Sequence, residues 1–146
     1  MPIELDDLDR RILHELRKDG RASVSAIAAL THISRANAYS RVNRLVESEV
    51  IRGFGARIDP VLAGLHSSAY VTLTLEQEVW QDTRARLTAI PEVQHIALVG
   101  GDFDAILLVR ARDNGDLRRV VLEELQAIPG VRSTKTALIF EDFDTV

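Results

Sequence analysis

The chain has 146 residues, 46% of them hydrophobic and 27% charged, which suits one medium domain or two small ones and excludes extended disorder. It has no cysteine, which excludes disulfides, zinc–thiolate sites and thiol catalysis, and no leader or long apolar run, so a soluble cytoplasmic protein is expected. The net charge of −4 is unevenly spread: residues 1–60 carry 10 Lys+Arg against 9 Asp+Glu, and residues 61–146 carry 8 against 13. No acid falls between Asp19 and Glu47, whereas Arg21, Arg35, Arg41 and Arg44 do. On charge alone that stretch is either a solvated basic face or a phosphate-binding surface.

Leu5, Leu8, Ile12, Leu13 and Leu16 recur at helical spacing, with Asp6 or Asp7 as the cap and Gly20 as the stop. Ser23 caps a short second helix whose core side holds Ile27 and Leu30. After Thr31-His32-Ile33, Ser34 caps a third helix with Ala38, Val42, Leu45 and Val46 on one side. Ala36, Asn37, Ser40, Asn43 and Arg44 fall on the other, with Arg41 on the flank. Three short helices, the last two joined by a tight turn, form the helix-turn-helix pattern. The third helix carries an inventory suited to the major groove of double-stranded DNA: Asn pairs with adenine, Arg with guanine, and Ser and Ala fit close to base edges. The DNA-binding candidates are Ser34, Arg35, Ala36, Asn37, Ser40, Arg41, Asn43 and Arg44. Arg35, Arg41 and Arg44 can alternatively hold phosphates, and a packing module with no DNA role is the bland reading.

Residues 51–64 read as a hinge strand and linker between a DNA-binding domain at 1–50 and a second domain at 65–146. In that second domain Ala69, Val71, Leu73 and Leu75 alternate with Tyr70, Thr72 and Thr74 as a strand. A helix follows over Val79 to Ile90, then strands over Val93 to Val99 and Phe103 to Ala111. A second helix spans Leu117 to Ile128, and a last strand runs from Val131 to Phe140. Ile90-Pro91-Glu92-Val93 recurs as Ile128-Pro129-Gly130-Val131, each ending a helix and opening a strand. The fold class is therefore α+β, a three-helix domain followed by a ferredoxin-like βαββαβ domain. Such a small sheet, with one face uncovered by its helices, favours a homodimer.

The order of several short motifs resembles the Lrp/AsnC, or feast/famine, family of regulators. They are Leu8-Asp9-Arg10-Arg11-Ile12-Leu13, Asp19-Gly20-Arg21, Ile33-Ser34, Ser40-Arg41-Val42, Arg44-Leu45, Val50-Ile51-Arg52-Gly53-Phe54, Ile58-Asp59-Pro60, Gly101-Asp102-Phe103-Asp104, Pro129-Gly130-Val131 and Thr134-Lys135-Thr136. The resemblance implies a ligand-responsive transcription regulator rather than an enzyme. Its C-terminal half would be an amino-acid-sensing RAM domain that dimerises and assembles further into octamers. Effectors would bind between dimers near the Gly101–Asp104 loop and the last strand, and the hinge strands of two protomers would pair. His32 stands where the family usually has Gly, at a turn that calls for positive φ.

Gly100-Gly101-Asp102-Phe103-Asp104 carries three readings: a glycine-permitted hairpin, an effector site, or a hard-cation site. As an effector site it would bind a small amino-acid ligand through backbone N–H groups and carboxylates, with Thr134 and Thr136 adding hydroxyls. No metal is expected, because no further acids cluster near the loop in sequence and His14, His32, His66 and His95 lack metal-like spacing, and no cofactor is expected. Trp80 reads as packing and Glu141-Asp142-Phe143-Asp144 as a solvated end. Two alternatives stand beside the regulator, an architectural DNA-wrapping protein and an enzyme akin to the sirohaem decarboxylases. The ligand, the operator and the sign of regulation are not written in these residues.

Overall fold

The computed structural model describes residues 3–145, which divide into two compact units, one of residues 3–57 with 144–145 and one of residues 58–143. The first unit holds α1 (Asp7–Lys18), α2 (Val24–Thr31) and α3 (Arg35–Glu47). All three begin at a side-chain cap. Asp6 accepts from the Asp9 N–H at 2.8 Å while Asp9 reaches back to the Asp6 N–H at 3.2 Å, a reciprocal capping box. Ser23 and Ser34 each accept at 3.1 Å, from the N–H groups of Ala26 and Asn37. The core is Ile12, Ile27 and Leu45, with Leu5, Leu13, Leu16, Ile33 and Val42 packed against it.

Two expected core residues face out. Leu30 is 53% exposed and Val46 is also exposed. Thr31 takes the buried place on α2, because its hydroxyl donates to the Ile27 carbonyl at 2.7 Å and so enters the core satisfied. Gly20 stands one residue past the cap of α1, and it is not left-handed. α1 ends at Lys18 with Asp19 as an extended cap, and Asp19 accepts from the Arg21 N–H at 2.9 Å.

Residues 52–59 form no strand within the chain. A strand is defined by a ladder partner, and among the described residues this segment has none.

The second unit contains β1 (Ser67–Leu75), a 3-10 turn at Gln77–Val79, α4 (Trp80–Thr88), β2 (Val93–Leu98), β3 (Ala105–Ala111), α5 (Asn114–Arg119) and β4 (Val131–Leu138). The sheet is antiparallel in the order β2-β3-β1-β4, the ferredoxin-like arrangement. Burial alternates along β1 and β3, so Ala69, Val71, Leu73, Ala105, Leu107 and Val109 form the core with Leu87, Leu117, Val120 and Leu125 from the helical layer. Beyond α5 the expected helix widens into a π-helical stretch, Val120–Leu125, in which the Gln126 N–H donates to the Val121 carbonyl at 3.2 Å. The neighbouring Val120 and Val121 are both buried there.

The sequence repeat is a structural repeat. Val93 and Val131 each donate to the carbonyl of the Ile three residues before, at 3.1 Å in both turns. The turns differ at their third residue, since Gly130 has φ +97° and Glu92 is not left-handed.

Candidate nucleic-acid interface and effector surface

The exposed surface of α3 is concentrated at its start. Ser34, Arg35, Ala36, Asn37, Tyr39 and Ser40 are exposed, while Ala38 and Leu45 are fully buried on the opposite side. The turn before it is made by His32 in the left-handed region, φ 59° and ψ 46°, with its N–H donating to the carbonyls of Ala28 and Ala29. Arg11 donates to the Thr31 carbonyl at 3.3 Å, tying α1 to the same turn. Tyr39 was not among the sequence candidates; its place between two polar positions of the exposed face was the available signal.

Arg41 and Arg44 are held from α1. Arg41 Nη1 donates to Asp6 Oδ1 and Oδ2 at 2.8 and 2.7 Å and to Asp9 Oδ1 at 2.9 Å. Arg44 Nη2 donates to the other Asp9 oxygen. Arg41 Nε also donates to Asn37 Oδ1 at 3.0 Å, which fixes the amide so that its nitrogen, not its oxygen, is left without a partner among the described residues. Asp9 is completely buried, whereas Asp6 is 55% exposed. The arginine side chains remain partly open, Arg44 at 46%. Arg35 makes no ion pair among the described residues, and Asn43 is half-buried.

These contacts lower both acids. The hydrogen bond from Arg41 is the main cause that brings the Asp6 carboxyl down to about 2. Burial pushes Asp9 up, but hydrogen bonds from Arg44 and Arg41 outweigh it and hold this carboxyl below the ordinary value. The acid-free run seen in the sequence is thus balanced in space by carboxylates more than thirty residues away. Separation along the chain hid them.

In the second unit, Val99 donates to the Asp104 carbonyl at 3.0 Å and closes the loop from Val99 to Asp104. Gly101 has φ +127°, which only glycine adopts without strain, while Gly100 is not left-handed. Asp102 is exposed and Phe103 half-buried. Asp104 is committed to the sheet: its Oδ2 accepts from the Leu75 N–H at 2.7 Å, and its own N–H donates to the Leu73 carbonyl at 2.8 Å. Thr134 and Thr136 pair with Leu73 and Val71 on the far side of β1. Two strand spacings, roughly 10 Å, therefore separate them from the loop. Thr134 already accepts from the Gln126 amide at 3.1 Å.

The concave surface beside the loop lies elsewhere. A cavity of about 280 Å³ is lined by Leu75, Gln77, Trp80, Leu98, Val99 and Asp104. At Trp80 and Leu98 it adjoins a larger groove of about 540 Å³ along β2 that includes Arg84 and His95. Of the sequence candidates only Asp104 lines the smaller cavity. The described residues hold no cluster of three metal-ligating side chains, and no helix among them is long and apolar enough to cross a membrane.

Residues 5–46 match the AsnC-type helix-turn-helix domain, and residues 68–145 match the Lrp/AsnC ligand binding domain. The chain belongs to the Lrp/AsnC family. One relative, the HTH-type transcriptional regulator AldR of Mycolicibacterium smegmatis, is 41% identical over 94% of this chain and 82% of its own length. The solved leucine response regulatory protein LrpA of Mycobacterium tuberculosis is 34% identical, with a TM-score of 0.82 over 97% of this chain and 96% of that one. A transcriptional regulator of Neisseria meningitidis, solved as an L-Met complex, shares the fold at a TM-score of 0.89 and 21% identity over 97% of this chain and 93% of that one. These Lrp/AsnC relatives are named as transcriptional regulators, not enzymes. A helix-turn-helix unit joined to a ligand-binding unit is thus the framework in which the α3 face and the β2–β3 loop are to be understood.

Proposed function

We propose that this chain is a sequence-specific DNA-binding regulator that answers to a small amino-acid effector. The observation that carries the reading is the exposed polar face at the start of α3, from Ser34 to Ser40, set against the buried Ala38 and Leu45. Recognition helices of this motif meet base edges through their N-terminal residues. Arg35, which pairs with no carboxylate among the described residues, supplies phosphate attraction, and Asn37 and Ser40 supply groups that discriminate bases. Arg41 and Arg44 lie further along and suit phosphates at the groove's edge.

The effector would enter beside the Gly100–Asp104 loop, where the apolar wall of Leu75, Trp80 and Leu98 suits a side chain and the exposed loop suits a charged backbone end. Thr134 and Thr136, across β1, would then serve a ligand bound by a second copy rather than the same pocket. Self-association into a dimer and larger assemblies is supported by the half-exposed Tyr70 on the open sheet face and by a hinge segment with no ladder partner among the described residues. A cytoplasmic location accompanies this role.

The test is a mobility-shift titration with DNA from the protein's own upstream region, excess random DNA, and pooled amino acids, with L-Leu and L-Met as the first single probes. A specific shift altered by the pool is the expected result. Equal binding to all sequences would favour DNA wrapping without an operator.

A further inference from the structure

We infer that Asp6 is a built-in competitor of DNA phosphate: it occupies the Arg41 guanidinium in the free protein and yields it when a duplex docks on α3. The inference rests on the proposed DNA-facing role of that helix. The two carboxylates that hold Arg41 are not equivalent. Asp9 is fully buried, bonds both Arg41 and Arg44, and completes the capping box of α1. Withdrawing its partners would strand a charge in the core, so it stays. Asp6 is more than half exposed, and among the described residues Arg41 is the cation it touches.

Arg41 Nη1 is shared among three carboxylate oxygens within 2.9 Å, more acceptors than its two protons can serve well. Exchanging the Asp6 oxygens for phosphate oxygens therefore keeps the guanidinium satisfied. Until that exchange, Asp6 places a negative charge beside the cation an incoming phosphate would approach. Neutralising Asp6 should add about one effective phosphate contact without touching any base-reading residue.

Asp6→Asn and Asp6→Ser both retain a capping oxygen for the Asp9 N–H, so α1 keeps its start. Full-length wild type and both variants are titrated by fluorescence anisotropy against an upstream duplex and a random duplex over a salt series. Melting curves are recorded alongside. Both variants are expected to bind both duplexes on the order of 5-fold more tightly at moderate salt, with a salt slope steeper by about 0.9 and an unchanged specific-to-random ratio. Variants that melt cooperatively above the binding temperature, and so are folded, but show the affinity and slope of wild type, or weaker binding, overturn the inference alone. A wild type with no salt-dependent binding to either duplex overturns the DNA-facing role of α3 and the inference with it.

Discussion

Asp9 is the residue on which the first unit's polar architecture turns. It is buried with no exposure, yet it stays ionised because two guanidinium groups and a backbone N–H surround it. Asp9→Ala is expected to cost about 3 kcal/mol in urea unfolding, since it leaves Arg41 and Arg44 without their common acceptor; a loss below about 1 kcal/mol would show that water replaces the carboxylate freely. Asp6 contributes to the acid response. Its carboxyl lies at about 2 when folded, below the ordinary value near 4 of an unfolded chain, so the unfolded state takes up the proton first. The stability that Asp6 gives is therefore complete above about pH 4 and is lost as pH falls towards 2. A stability–pH profile of Asp6→Asn should be flatter in that window. His32 is the opposite case, a residue in an unfavourable place. At φ 59° it occupies a position that glycine fills without a Cβ penalty, and His32→Gly is expected to raise the unfolding midpoint by the equivalent of about 0.5–1 kcal/mol. The need for positive φ at that turn was legible from the family's usual glycine. The ion cluster was not, because its partners stand 32 to 35 residues apart.

Among the elements, the two repeated Ile-Pro-X-Val turns show what a glycine is for. A Cβ on Gly130 would lie 2.5 Å from Thr83 Oγ1 and 2.7 Å from Val79 Cγ2, in a turn where Thr83 also donates to the Pro129 carbonyl at 3.1 Å. Gly130→Ala combines overpacking with left-handed strain and should destabilise by about 3 kcal/mol. Gly101→Ala shares the strain, but its Cβ would meet open space, so about 1 kcal/mol is expected. Comparing the two by thermal unfolding separates backbone conformation from packing. Most elements were readable because each rule acts locally: Asp6, Ser23 and Ser34 announce helix starts, and strict alternation in β1 announces a half-covered strand. Leu30 was misplaced because an eight-residue helix barely fixes its own phase, and the buried Thr31 competes for the same face. The π-helical stretch was invisible, since Val120, Val121 and Leu125 fit ordinary helical spacing equally well. The hinge has no ladder partner among the described residues, and the expected pairing of two protomers' hinges is a property of two chains. Within one chain the strand order places β1 between the loop and the last strand.

For the whole molecule, the acidic net charge and the DNA-binding role are reconciled by placement. Asp6 and Asp9 are already engaged with the arginines of α3, while the excess of acids lies in the ligand-binding unit. Self-association belongs to this scale: sedimentation at micromolar concentration should give a dimer or larger species, and a monomer at all concentrations would leave the open sheet face of Tyr70 without its proposed partner. The helix-turn-helix pattern and the ferredoxin-like order made the architecture legible before any coordinates, whereas the residues lining the cavity at Trp80 and Leu98 were not, because a concave surface arises only when elements pack. If the start of α3 reads DNA sequence, Asn37 is the residue to change, since its amide nitrogen is left to seek an acceptor once Arg41 holds the oxygen. The measurement is the affinity of Asn37→Ala for the upstream duplex and for random duplex at one salt concentration. The account predicts that discrimination falls by about 1–3 kcal/mol while random binding changes little. An unchanged ratio of the two affinities would contradict it.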